Sequence, residues 1–218
     1  MSLRKVKLIQ GEYFHIYNRG NDKKVIFKDK EDHERFVGLM YACNQTENFK
    51  SDNLSKNQGL FNVEKNTKLV DIGAYCLMPN HFHLLVIQTE DEGITRFMQK
   101  VTTAYVMYFN KKYERTGSLF EGKFKAEHAG SDRYLKYLYS YIHLNPIKLI
   151  NSKWKKEGIK DKNEALEYLS KYKYSSYLDY LGENRVQNKV LEINSFPKYF
   201  SSKIAFKKEI FEWITHKD

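Results

Sequence analysis

The chain has 218 residues, a formal charge of +10 at pH 7 and a sequence pI of about 9.3. That length suits one domain, or one domain with an appendage, and the basic excess favours a polyanionic partner, nucleic acid before membrane. Cys43 and Cys76 lie far apart in no Cys-x-x-Cys pattern, which argues against a disulfide framework or zinc knuckle. No apolar run reaches about 18 residues and the first residues carry no signal-peptide core, so a soluble, cytoplasmic protein without a membrane partner is expected.

Residues 12–20 alternate and end in Asn-Arg-Gly-Asn, a strand entering a turn. Residues 29–44 read as a helix, with Phe36, Leu39, Met40 and Cys43 at helical spacing. Residues 45–66 are polar and read as a long insertion. Residues 68–78 form a second strand, read with Val70, Ile72, Ala74 and Cys76 on one face. A tight turn at Met78-Pro79-Asn80 leads to a third strand, residues 81–88. Residues 94–112 carry an apolar helical stripe from Ile94 to Phe109. Residues 120–129 read as a fourth strand, with Lys123 and Lys125 on one face. Ser131 or Asp132 caps a helix that should stop near Pro146. Residues 163–181 and 206–215 are expected to be helical.

This order predicts an α+β, ferredoxin-like βαββαβ fold, an antiparallel sheet with helices on one face plus a C-terminal helical extension. The boundary is placed as a domain over 1–151, with the insertion inside it, and an extension over 152–218.

Chemistry concentrates in two places. His81 and His83 are two apart on a strand, so their side chains leave the same face and make half of a divalent-metal site, or a pair of hydrogen-bonded strand histidines. Tyr141 and Asn145 are four apart and share a helix face. Tyr141 could act as a nucleophile while the Asn145 amide oxygen completes a metal triad with the histidines. A free phenol has a pKa of about 10 and needs a cation or base to help it attack. Otherwise the tyrosines of this helix are packing. His143, two residues from Tyr141, faces elsewhere and is read as a packing or surface group. Nothing in the sequence orients His15 or His128.

The motif Met-Pro-Asn-His-Phe-His-Leu-Leu-Val, followed by Tyr-Ile-His-Leu-Asn-Pro 58 residues after the second histidine, resembles the HUH single-strand transposases with one catalytic tyrosine. It is most similar to the REP-associated tyrosine transposases. Tyr17-Asn18-Arg19-Gly20, the stretch from Arg115-Thr116-Gly117 to Lys125 and Tyr172-Lys173-Tyr174-Ser175-Ser176-Tyr177 support the resemblance, which covers roughly residues 10–182. It implies Tyr141 as the nucleophile, His81, His83 and Asn145 as ligands of Mg²⁺ or Mn²⁺, and a 5′-phosphotyrosine intermediate that frees a 3′-hydroxyl. It implies single-stranded DNA folded into imperfect palindromic hairpins as partner. It leaves open a homodimer with the tyrosine helix exchanged between subunits.

Asn18, Arg19, Arg115, Lys123 and Lys125 are the candidate DNA contacts. Glu121 is read as a salt-bridge partner for a neighbouring arginine. The basic stretch 152–162 is either a solvated surface or a seat for a hairpin stem.

The main alternative is a domesticated hairpin-binding protein without cleavage. An RNA-binding module would want a basic aromatic motif where the histidines stand. A two-histidine phosphoesterase would want two His-x-Ser/Thr copies, which are absent.

Overall fold

Alternation along residues 13–19 sets the centre of the sheet. In the computed structural model, which describes residues 6–47, 59–159 and 161–215, strand β1 (Tyr13–Arg19) buries Phe14 and Ile16 on one face and turns Tyr13, His15 and Tyr17 to the other. Residues 1–5, residues 48–58 of the polar insertion and Lys160 of the basic stretch lie outside the described residues.

Strand β2 (Val70–Met78), β3 (His81–Gln88) and β4 (Lys125–His128) complete a sheet of order β2-β3-β1-β4, with every neighbouring pair antiparallel. Helices α1 (Lys30–Ala42) and α2 (Gly93–Lys112) cover one face, packing on Phe14, Ile16, Phe82, Leu84 and Val86. This is the expected ferredoxin-like arrangement. Asp29 caps α1, its side chain accepting from Asp32 N–H at 3.0 Å, while the Asp32 carboxylate accepts from Lys28 N–H at 2.8 Å. Lys112 at the end of α2 bridges both aspartates and ties the two helices together.

Two strand expectations need correction. On β2, Ile72 pairs with Val86 but Ala74 pairs with Leu85, so Gly73 is an extra residue in the ladder, a β-bulge. The bulge reverses the alternation. Val70 and Ile72 join the α1/α2 core, whereas Ala74, Cys76 and Met78 face the other way. The fourth strand is also shorter than its pattern suggested. Phe120 makes an isolated bridge with Gly20, and Gly122, at φ 71°, turns the chain out of the ladder before Lys125.

The second face of the sheet is covered by α3 (Asp132–Leu144), capped by Ser131 through Tyr134 N–H. It buries Leu135, Leu138, Tyr139 and Ile142 against Ala74, Cys76, Leu85 and Ile87. Pro146 ends it as expected, and the chain continues as a 3₁₀ turn over Asn145–Leu149. Beyond it come α4 (Trp154–Glu157), α5 (Lys162–Lys171), α6 (Tyr177–Tyr180) and α7 (Lys203–Thr215).

The helix expected over 163–181 is therefore two helices, because residues 172–176 lie along the edge of β2. Leu77 N–H donates to the Tyr174 carbonyl at 2.9 Å, Ser176 N–H to Tyr75 at 3.0 Å, and Tyr172 OH to Leu77 at 2.6 Å. Such cover removes an exposed edge that would otherwise template pairing with another chain. Arg185 locks the segment by donating to Asp179, to the Ser175 carbonyl and to Tyr75 Oη.

Phe196 seals the bulge: a Cβ on Gly73 would come within 2.7 Å of its ring. Gly73→Ala should therefore destabilise the protein by about 1–3 kcal/mol, the usual cost of overpacking. A wild-type denaturation midpoint in that variant would refute the contact.

His143 is sealed in the core, its Nε2 2.7 Å from Ser176 Oγ and its ring against Tyr180 and Phe206. Burial lowers its pKa from 6.5 to about 3. Between those values the unfolded chain binds a proton that the folded chain does not. Stability should thus fall on acidification from pH 6.5 toward 3, by at most about 1.4 kcal/mol per pH unit from this group. Urea midpoints at pH 7 and 4.5 should differ less in His143→Phe than in wild type; an equal loss would contradict the assignment.

Among the described residues no helix is long and apolar enough to cross a membrane.

Candidate functional site

The β2–β3 turn presents the histidine pair, and it is held from below. Ile26 and Phe27 N–H groups donate to the Pro79 carbonyl at 2.8 and 3.0 Å, and Gly20 N–H donates to Asn80 at 2.8 Å. His81 and His83 leave the same face of β3, as their spacing requires, with ring centroids 5.0 Å apart and planes at 88°. Asn80 Oδ1 sits 2.6 Å from His81 Nδ1. That oxygen can only accept, so Nδ1 carries the proton and Nε2 keeps its lone pair. His83 Nδ1 is likewise engaged, 2.9 Å from His15 Nε2 on the adjoining strand.

Both site histidines are neutral near pH 7. Burial lowers the pKa of His81 to about 4, with Lys148 and Arg19 adding to the effect. Burial, with His15, His81, Lys148 and Lys155 nearby, also lowers that of His83 well below the usual histidine value. Neutral imidazoles, each with one nitrogen committed and the other left over, are the form that binds a divalent cation.

The stripe of α3 delivers Tyr141 over this pair. Its ring stands 5.4 Å from His83 and 5.7 Å from His15, edge-on to both. The tyrosine and the histidines meet within this one chain. Burial and the charge of Glu127 raise the Tyr141 pKa, against a lowering contribution from the Asn145 amide. The phenol is therefore protonated at neutral pH, and a phenol attacks only with help from a cation or base. Two ammonium groups are already near: Lys155 Nζ lies 4.3 Å from the ring centroid and Lys148 Nζ 5.8 Å.

A cleft of about 310 Å³ opens in front of these groups, lined by Asn18, Arg19, His81, His83, Lys125, Tyr141 and Lys148 among others. Of the residues expected from sequence, six thus converge. Two of them carry qualifications, and Asn145 does not line the cleft. Asn18 is buried and spends its side chain on structure, donating to the Gly122 carbonyl at 3.1 Å and accepting from Arg19 N–H at 2.9 Å. Arg19 pairs with Glu121, the partnership anticipated for that glutamate, while lining the cleft. Asn145 is buried beneath Tyr141, its Nδ2 donating to the Tyr141 carbonyl at 2.7 Å and its Oδ1 accepting from Lys148 Nζ at 3.1 Å.

Arg115 and Lys123 do not line the cleft. Arg115 donates to the Ser118 carbonyl at 3.0 Å and stacks over Phe109; Lys123 is solvent-exposed.

The sequence did not place four participants at the site. His15 reaches His83, whereas His128 turns away to Glu12. Glu127 gathers Tyr17 Oη at 2.8 Å and Tyr134 Oη at 3.0 Å. Lys148, one helical turn past Asn145, was a readable signal; Lys155, across the Pro146 turn, was not. Among the described residues no three His, Cys, Asp or Glu side chains gather as a metal site.

The profile of the IS200-like transposase family matches residues 11–145, more than half of the chain. The fold is similar to that in a solved structure described as a REP-associated tyrosine transposase bound to a REP hairpin, at 13% identity and a TM-score of 0.52, covering 86% of this chain and 90% of the other. No curated protein matches the sequence.

Proposed function

Because the chain belongs to the IS200-like transposase family, we propose that it is a single-strand DNA nickase and strand transferase whose nucleophile is Tyr141. The observation that carries this reading is the meeting of Tyr141 with His81 and His83 in one cationic cleft. A hairpin-forming DNA strand is the proposed substrate, by analogy with what the structural neighbour is described as holding.

In this reading the Tyr141 oxygen attacks the scissile phosphorus and the bond from phosphorus to the 3′ oxygen breaks. The products are a 5′-phosphotyrosine and a free 3′-hydroxyl. The phenol loses its proton and the departing oxygen gains one. Attack by a 3′-hydroxyl on the phosphotyrosine reverses the step, so the phosphodiester energy is retained for rejoining. His81 and His83 would hold a divalent cation, Mg²⁺ or Mn²⁺, which when bound polarises a phosphate and steadies the leaving oxygen.

Lys148 holds Asn145 Oδ1 in the free protein. When a strand enters, Lys148 moves to a phosphate oxygen, which frees the amide oxygen as a further ligand. Arg19 and Lys125 flank the path of the backbone, and exposed Lys123, outside the cleft, is left for the hairpin stem.

The direct test uses labelled oligonucleotides from the DNA flanking the gene, single-stranded and duplex, with Mn²⁺. Cleavage of the single strand alone, leaving a 3′-hydroxyl, is expected. Tight hairpin binding without any cleavage would support a binding-only protein instead.

The contacts predict a division among the cations. Lys125→Ala should reduce the slope of log affinity against log salt by about 0.7, the loss of one single-strand phosphate contact. Arg115→Ala should leave that slope unchanged. Equal slopes for wild type and Lys125→Ala would remove Lys125 from the interface.

A further inference from the structure

A second pocket lies on the far side of Tyr141, and the proposed chemistry makes no use of it. It has a volume of about 190 Å³ and is lined by Tyr137, Tyr141, Trp154, Lys155, Lys156 and Trp213 among others. Ligand pockets for drug-sized molecules start at about 300 Å³, so this one suits a single ring system.

Its chemistry is unlike the first cleft. The chain has two tryptophans and both are here. Tyr137 connects Trp213 to the site, its ring 5.7 Å from Tyr141 and 5.1 Å from Trp213. Lys155 Nζ stands on the divide, 4.3 Å from the Tyr141 ring centroid and 5.8 Å from that of Trp154. Tyr141 lines both pockets and is the wall between them.

We infer that this aromatic pocket takes the base of one unpaired nucleotide next to the scissile phosphate. The inference rests on the reading of Tyr141 as nucleophile. A strand whose phosphate lies against Tyr141 in the first cleft has its next nucleotide within reach of the second. Indole and phenol rings stack on any base, while ammonium groups at the rim meet the backbone. The pocket would hold the strand immobile on one side of the attacked phosphorus, and so would set the distance and angle of attack. The ring contacts are sequence-tolerant, so the pocket fixes position rather than sequence.

Because both tryptophans line the pocket, intrinsic fluorescence reports its occupancy in the unaltered protein. The experiment titrates wild-type protein in EDTA, so that nothing is cut, with an oligothymidylate of 15 nucleotides and with a 15-mer whose sugars lack bases. Both carry the same phosphates. Quenching by the first and not by the second is expected. The single-tryptophan variants Trp154→Phe and Trp213→Phe should each keep base-dependent quenching. Trp213→Leu should weaken oligothymidylate binding about 5- to 100-fold, the range for loss of one stacked base.

Equal quenching by both oligomers would overturn the inference. So would unchanged fluorescence at concentrations where the anisotropy of a labelled oligomer shows binding. The two readings fail separately. Base-dependent quenching without any cleavage would sink the nickase and leave a strand-binding pocket. Cleavage at Tyr141 without quenching would sink the pocket alone.

Discussion

Tyr141→Phe should bind a hairpin oligonucleotide as wild type does and form no covalent adduct with it. The phenol oxygen is the atom that would bond to phosphorus, so its removal leaves no alternative path. The expected loss of cleavage is about 10⁴-fold or more, the scale seen when a covalent nucleophile is deleted. Folding should be little affected. The ring, half-buried on α3, keeps its contacts with His15, His83 and Tyr137. A retained adduct in Tyr141→Phe would point to Tyr137, which lines the neighbouring pocket, because Tyr139 is fully buried in the core. Duplicate measurement of hairpin affinity guards against confusing lost chemistry with lost binding.

The second large effect is expected from the histidine pair. His81→Ala or His83→Ala should lower cleavage by about 10²- to 10⁴-fold, since a bound cation contributes several kcal/mol of charge stabilisation. The two variants should also lose Mn²⁺ binding measured by calorimetry in the presence of uncleaved oligonucleotide. The prediction is specific to the face of the strand. Phe82 lies between the two histidines and packs against Phe36 on the opposite side of the sheet, so Phe82→Leu should cost stability while leaving the metal stoichiometry intact. Wild-type Mn²⁺ affinity after either histidine is removed would exclude the pair from the site. Asn145→Ala discriminates further. If Lys148 surrenders the amide oxygen when DNA binds, the variant should weaken Mn²⁺ binding in the ternary mixture more than in the protein alone.

Much of this was legible from local pattern. Period-two alternation placed β1, a tight turn and an apolar run placed β3, a strong apolar stripe placed α2, and the His-x-His spacing put two imidazoles on one face without any tertiary information. The Tyr141–Asn145 spacing was read as one helix face; Tyr141 stands in the last turn of α3 and Asn145 caps it, and Pro146 stopped the helix where expected.

What escaped was set by contacts distant in sequence. The β2 face was misread because Gly73 adds a residue to the ladder, and only the packing of Phe196, more than a hundred positions later, reveals why a glycine stands there. The break at residues 172–176 follows from hydrogen bonds to β2 that helix propensity cannot anticipate. At the site, the commitment of Asn145 Oδ1 to Lys148 and of Arg19 to Glu121 depends on side-chain geometry rather than spacing. His15 had no local signal, because its significance comes from the β1–β3 register that sets it beside His83. The tryptophan pocket is built from three stretches, around Tyr137, Trp154 and Trp213, and none is distinctive alone.

The most direct measurement of the central claim is mass spectrometry of the protein after reaction with a cleavable single-stranded oligonucleotide and Mn²⁺. After digestion by protease and nuclease, the peptide containing Tyr141 should carry a 5′-linked nucleotide on that residue, and the other strand fragment should end in a 3′-hydroxyl. A nucleotide on any other residue, or cleaved DNA with a free 5′-phosphate and no modified peptide at any time, would contradict the account.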